Sequence, residues 1–296
     1  MLFVSTFGVN VVSNRPNDMA STGIDPTDHE EADTRLMLHV AHGAAEGHRS
    51  VLIRTVDTDV VALAVTFVNQ LDIELWLAFG VGKHFNYILA NSLASNFGPE
   101  KCKALSFFHA FSGSDTTSSF AGRGKKTAFD AWEVFPEVTP VFSKLSLTPD
   151  VITPEDEAVL ERYTVIMYSR TCPLHQVNKA RQALFAQGTQ SIESIPPTKA
   201  ALTEHIKRAA YQGGYVWGKA LDPVQNLPSP THWGWTEERE GFIPKWTTLP
   251  EASKACQELV HCGCKKACRG LCKCSRANLS CTSLCYCGGA CHQTEG

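Results

Sequence analysis

Nine cysteines fall between Cys262 and Cys291, spaced Cys262-x-Cys264-x3-Cys268-x3-Cys272-x-Cys274-x6-Cys281-x3-Cys285-x-Cys287-x3-Cys291. Thiols this dense must be cross-linked or bound to metal, so their spacing decides what the end of the chain can become. Zinc takes four tetrahedral ligands, with thiolates at about 2.3 Å. Three ions need about twelve ligand positions, which nine thiolates fill if three bridge two metals and six bind one. The rival is a disulfide scaffold, which usually follows a secretory signal and makes up most of a short chain. Here the first 255 residues hold only Cys102 and Cys172, and the opening MLFVSTFGVNVVSNRP has no basic n-region. The spacing therefore predicts a cluster of about three zinc ions on these nine cysteines, with Cys256 as an alternative ligand or a bystander.

The order of the three C-x-C pairs, with Lys265 and Lys266 after the first, resembles the tesmin/TSO1-like CXC family. That resemblance implies a three-zinc domain that binds DNA. The family carries a Tyr before its second C-x-C, where this chain has Leu271, and Tyr286 lies inside the third pair instead. Lys265, Lys266, Arg269, Lys273 and Arg276 admit two roles, DNA contact or charge balance. Nine thiolates with three dications sum to about −3, a large local charge to offset.

The rest of the chain reads as α/β. HEEADTRLMLHVAHGAAEG has the spacing of a helix with acids in its first turn, and SVLIRTV is a buried strand closed by Asp57-Thr58-Asp59. VVALAVTFVNQL reads as a helix, DIELWLAFG as a strand, and KCKALSFFHAF as a helix leading to Gly113-Ser114-Asp115. Such alternation predicts an open, mostly parallel sheet. Ligands bind beyond the C-terminal strand ends of these sheets, where Asp57 and Asp59 fall. Clustered carboxylates are the hard-oxygen setting that Mg²⁺ or Mn²⁺ prefers. Taken singly, each acid is explained by helix capping or by a tight turn.

Their order, E-A-D, then D-T-D closing a strand, then G-S-D, resembles the PIN-like and flap-endonuclease superfamily. The resemblance implies metal-dependent phosphodiester hydrolysis on DNA or RNA, with Glu31, Asp33, Asp57, Asp59 and Asp115 as the catalytic acids. Residues i and i+2 do not face each other on a regular helix. Glu31 and Asp33 can therefore share a site only if one lies at an irregular first turn. TTSSFAGRGKKTAFDAW resembles the helix-hairpin-helix of flap endonucleases, which implies phosphate contacts by Gly122, Gly124, Lys125 and Lys126. An ordinary connection with exposed lysines is the competing reading. The superfamily's first strand carries an Asp ligand, whereas MLFVSTFGVNVVS, read as one strand, has no acid. The expectation is a nuclease-like domain shortened at its N-terminus.

A stretch rich in Pro and Thr, from Phe135-Pro136 to Pro154, reads as a boundary, and residues 153–220 read as helices started at Thr153-Pro154. The expected layout is residues 1–135 nuclease-like, 136–250 helical and Pro/Trp-rich, and 251–296 zinc-binding. IPPTKAALTEHIKRAAYQGGYVW, PSPTHWGW and IPKWTTLPEA resemble animal proteins associated with mobile elements, which implies a nuclear, nucleic-acid-associated role. Tyr211, Tyr215 and Trp217, next to Lys207 and Arg208, read as packing anchors before a nucleic-acid surface. His39, His42 and His109 read as hydrogen-bonded rather than as metal ligands. The net charge of −3 carries no nucleic-acid signature of its own, and no uncharged run is long enough to span a bilayer.

Overall fold

The computed structural model describes the backbone of residues 4–7 and 10–13, and residues 24, 27–186, 194–247, 263, 274 and 285–287. The chain divides into two compact units, Met1–Lys245 and Trp246–Gly296.

In the first unit, β1 (Val4–Phe7) and β2 (Asn10–Ser13) pair antiparallel, so the single strand expected here is a hairpin. Helix α1 (Ala32–Ala45) follows and buries Met37, Leu38 and Val40. Strand β3 (Ser50–Thr55) then leads to α2 (Thr58–Phe67), whose apolar residues are nearly all buried. β4 (Glu74–Phe79) lies parallel to β3, the geometry that a helical crossover allows. β5 (Asn86–Leu89) pairs antiparallel with β4. The expected mostly parallel sheet is therefore a small mixed one of order β3-β4-β5. The cause is the connection from β4 to β5, only a short turn through Gly82–His84. A parallel return needs a crossover of a dozen residues or more.

Helices α3 (Ala90–Phe97) and α4 (Pro99–Ser112) meet at Gly98, whose φ of 76° ends the first and starts the second. Helices α5 (Lys125–Val134), α6 (Thr139–Leu147) and α7 (Pro154–Tyr168) surround α4. Thr153 and Asp156 form the reciprocal cap that starts α7, as its Thr-Pro signal predicts. Phe107, Phe111, Trp132, Phe142 and Tyr163 are fully buried together, and the Phe142 and Tyr163 rings meet edge to face at 5.2 Å. Each such burial stabilises by about 1.5–3 kcal/mol.

The boundary expected at residues 136–154 is thus a correction. That stretch contains α6, and its Phe142 and Leu145 sit in the same core as α4. Pro140 occupies the first turn of α6, where a missing N–H costs nothing. After α8 (Val177–Ala186) come α9 (Lys199–Ala210) and a π-helical turn, Tyr211–Val216. A hairpin of β6 (Trp235–Glu238) and β7 (Gly241–Pro244) closes the unit. The described residues thus form an α/β fold in which helices predominate.

Candidate metal centre

β3 ends just before Asp57, which is extended and caps α2, its Oδ1 accepting the Asp59 N–H at 2.9 Å. Asp59 follows in the first turn of α2. Glu31 is the extended N-cap residue of α1 (φ −79°, ψ 135°), and Asp33 lies one residue inside the helix. The irregular first turn that the sequence requires is therefore present. Carboxylate oxygens of Asp33, Asp57 and Asp59 all lie within 4.8 Å of one another. Two helix N-termini face these acids and favour their negative charge.

Asp33 and Asp59 are pushed in opposite directions. Burial, then the neighbouring charges of Asp57, Asp59, Glu31 and Asp115, push Asp33 up to about 6. Burial also works upward on Asp59, but the hydrogen bond and charge of His109, with Lys125 nearby, outweigh it and hold Asp59 below the usual carboxylate range. His109 Nε2 lies 2.7 Å from Asp59 Oδ1, which assigns the proton to Nε2 and makes the carboxylate the acceptor. His109 was read from sequence as a hydrogen-bonded histidine, and it is one. What the sequence did not indicate is its partner.

Glu31 is not among the converging carboxylates, and both of its oxygens are engaged elsewhere. Its Oε1 accepts from Gln212 Nε2 at 2.7 Å and its Oε2 from Trp217 Nε1 at 2.8 Å. Both donors flank or belong to the π-helical turn, a rare conformation that tends to mark functional positions. The turn lies against α4 because Gly213 has no side chain. A Cβ there would stand 2.6 Å from Phe107 Cα and 2.9 Å from Ser106 O. Trp217 and Tyr215 are buried, in agreement with the packing role read for them.

Asp115 lies exposed in the loop between α4 and α5. It adds to the field at Asp33, but its oxygens are not among those that converge. In the same loop Gly122 has φ 66°, and Gly124 caps α5. Lys125 departs from the expected phosphate contact. Its ammonium turns inward and donates to the Gly113 carbonyl at 2.6 Å and the His109 carbonyl at 3.0 Å, satisfying orphan acceptors at the end of α4. Burial lowers its proton affinity to about 8, against the pull of Asp59. Lys126 is exposed and pairs with Asp130 at 3.0 Å.

In the second unit, Cys274 and Cys285 are buried with their sulfurs 3.6 Å apart, and Cys287 is half-buried. Cys262, Cys264, Cys268, Cys272, Cys281, Cys291, Lys265 and Lys266 lie outside the described residues. Comparison with family models, curated proteins and solved structures finds no match to this chain.

Proposed function

We propose that residues 1–245 form a PIN/flap-endonuclease-like, divalent-metal-dependent phosphodiesterase acting on nucleic acid, and that the tail is a zinc-bound, DNA-binding CXC-like module. In this reading the protein is mobile-element-derived and nuclear. The observation that carries it is the convergence of Asp33, Asp57 and Asp59 at the end of a parallel strand. Oxygens on one ion with bonds of about 2.1 Å lie at most about 4.2 Å apart. A cluster within 4.8 Å therefore fits a hard cation after a small side-chain rotation. Bound there, such an ion supplies an activated water and offsets charge on the leaving oxygen.

The chain's own residues have separable tasks. Asp33, Asp57 and Asp59 would offer the carboxylate oxygens that hold such a cation, and the raised proton affinity of Asp33 makes binding there weaken as pH falls through about 6. His109 fixes the Asp59 carboxylate, as partners behind a metal ligand commonly do. Glu31, with both oxygens engaged, positions the start of α1 through Gln212 and Trp217. In the tail, a sulfur separation of 3.6 Å is near the roughly 3.8 Å edge of a zinc–thiolate tetrahedron and far from a disulfide bond of about 2.05 Å.

One observation favours a second reading, a nucleic-acid-binding protein whose nuclease-like site no longer acts. Two-ion hydrolysis needs more ligands than three carboxylates, and Glu31 is already engaged. Cleavage of a labelled flap or single-stranded oligonucleotide with Mn²⁺ decides between them. Activity that disappears in Asp57→Asn is the expected result. Absence of cleavage despite Mn²⁺ binding selects the second reading.

A further inference from the structure

The three-stranded sheet has one dry face and one open face. Ile53, Leu77 and Ile88 share a rung that packs into the core. The adjacent rungs, Leu52–Trp76–Leu89 and Arg54–Ala78–Tyr87, point the other way. There Leu52 and Tyr87 are 58% and 63% exposed. Phe85 stands edge-on to Tyr87 at 5.0 Å, and the Arg54 guanidinium lies 4.9 Å over the Phe85 ring. Arg54 is fixed by donating to the carbonyls of Ala78 at 2.9 Å and Gly80 at 2.7 Å.

The charge on this face is uneven. Arg54 and the exposed Lys83 sit at the end nearer the aspartate cluster. The sheet's acids, Asp72 and Glu74, lie at the opposite end, where Arg49 pairs with Asp72 at 2.6 Å. At the aromatic end, the two cations Arg54 and Lys83 lie between the rings and the acids at the strand end, and they complement phosphate. Ring faces beside cations are what unpaired bases and their backbone recognise, because every base has a π-face and a duplex hides it.

We propose that the Arg54–Phe85–Tyr87 face is a stacking platform for single-stranded nucleic acid, leading a strand toward Asp33, Asp57 and Asp59. Asp57 follows Arg54 by three residues, about 10 Å of extended chain. The strand's destination rests on the phosphodiesterase reading; the binding does not.

The test uses the full chain carrying Asp57→Asn, without added divalent metal. Fluorescein-labelled oligo(dT) and a blunt duplex are titrated and followed by anisotropy. Tyr87→Ala weakens single-strand binding by about tenfold. Lys83→Ala lowers the slope of log affinity against log salt by about one. Duplex affinity changes in neither variant. Photocrosslinking with an iodouracil-substituted strand places adducts on Tyr87 or Phe85. Equal single-strand affinity in Tyr87→Ala, or adducts confined to the cysteine tail, overturns the platform and leaves the face to a protein partner. The two readings fail separately: cleavage that does not depend on Tyr87 refutes the platform alone. Tyr87-dependent binding without any cleavage in Mn²⁺ refutes the hydrolysis alone.

Discussion

His205 couples acid stability to the loop that carries Asp115. Its Nδ1 lies 2.9 Å from Ser118 Oγ in that loop, and its Nε2 lies 2.8 Å from the Phe111 carbonyl at the end of α4. The ring is buried against Phe111 and Phe120. Burial lowers its proton affinity from 6.5 to about 4; the bond to Phe111 opposes that shift and the charge of Arg208 adds to it. The folded state then binds fewer protons than the unfolded chain between about pH 4 and 6.5. Stability from this group is full above that window and is lost as pH falls through it. The whole shift corresponds to about 3 kcal/mol, of which about 2 kcal/mol is lost by pH 5. Asp33 titrates nearby with the opposite sign, because its folded affinity is raised. The contribution of His205 is therefore read as a difference. Urea unfolding of wild type and His205→Gln, followed by tryptophan fluorescence at pH 7.5 and pH 5, isolates it. The gap between the two proteins shifts by about 2 kcal/mol toward the variant at pH 5. A gap that does not change with pH would refute a neutral, desolvated His205.

Two further outcomes are expected. Gly213→Ala forces a Cβ onto the α4 backbone and costs about 1–3 kcal/mol or more, read as a lowered Tm, whereas Gly43→Ala inside α1 has room and is neutral or stabilising. If both variants melt alike, close approach is not what Gly213 provides. Elemental analysis of the purified protein gives about three zinc ions per chain, and Cys274→Ser or Cys285→Ser lowers that number. A metal-free, folded tail with oxidised cysteines refutes the cluster.

Local chemistry made part of this legible in advance. The 3.6-residue spacing of α1, the strand at β3 and the Thr153 cap all report interactions within a few residues, so sequence shows them. The burial expected of β3 is a correction, because β3 lies at the sheet edge with Leu52 58% exposed. Asp57 and Asp59 were readable as a strand-end pair because they too report local chemistry. Strand β5 was not, because four residues after a turn are too few to display a period. Helix α6 was hidden because Pro140 reads as a breaker until its first-turn position is known. The partners of Glu31 were beyond reach for another reason: Gln212 and Trp217 lie 181 and 186 positions away, and no local pattern encodes that pairing.

That distance also bears on how the protein is made. A chain emerging from the ribosome completes β3 and α2, and so displays Asp57 and Asp59, long before Trp217 has been translated. Contacts this remote in sequence form late, since the closure entropy comes before the reward. Glu31 stays unanchored until the π-helical turn closes onto α4. Synthesis order therefore separates the two: the cluster residues Asp33, Asp57 and Asp59 are made early, and the bonds that fix Glu31 at the start of α1 come last.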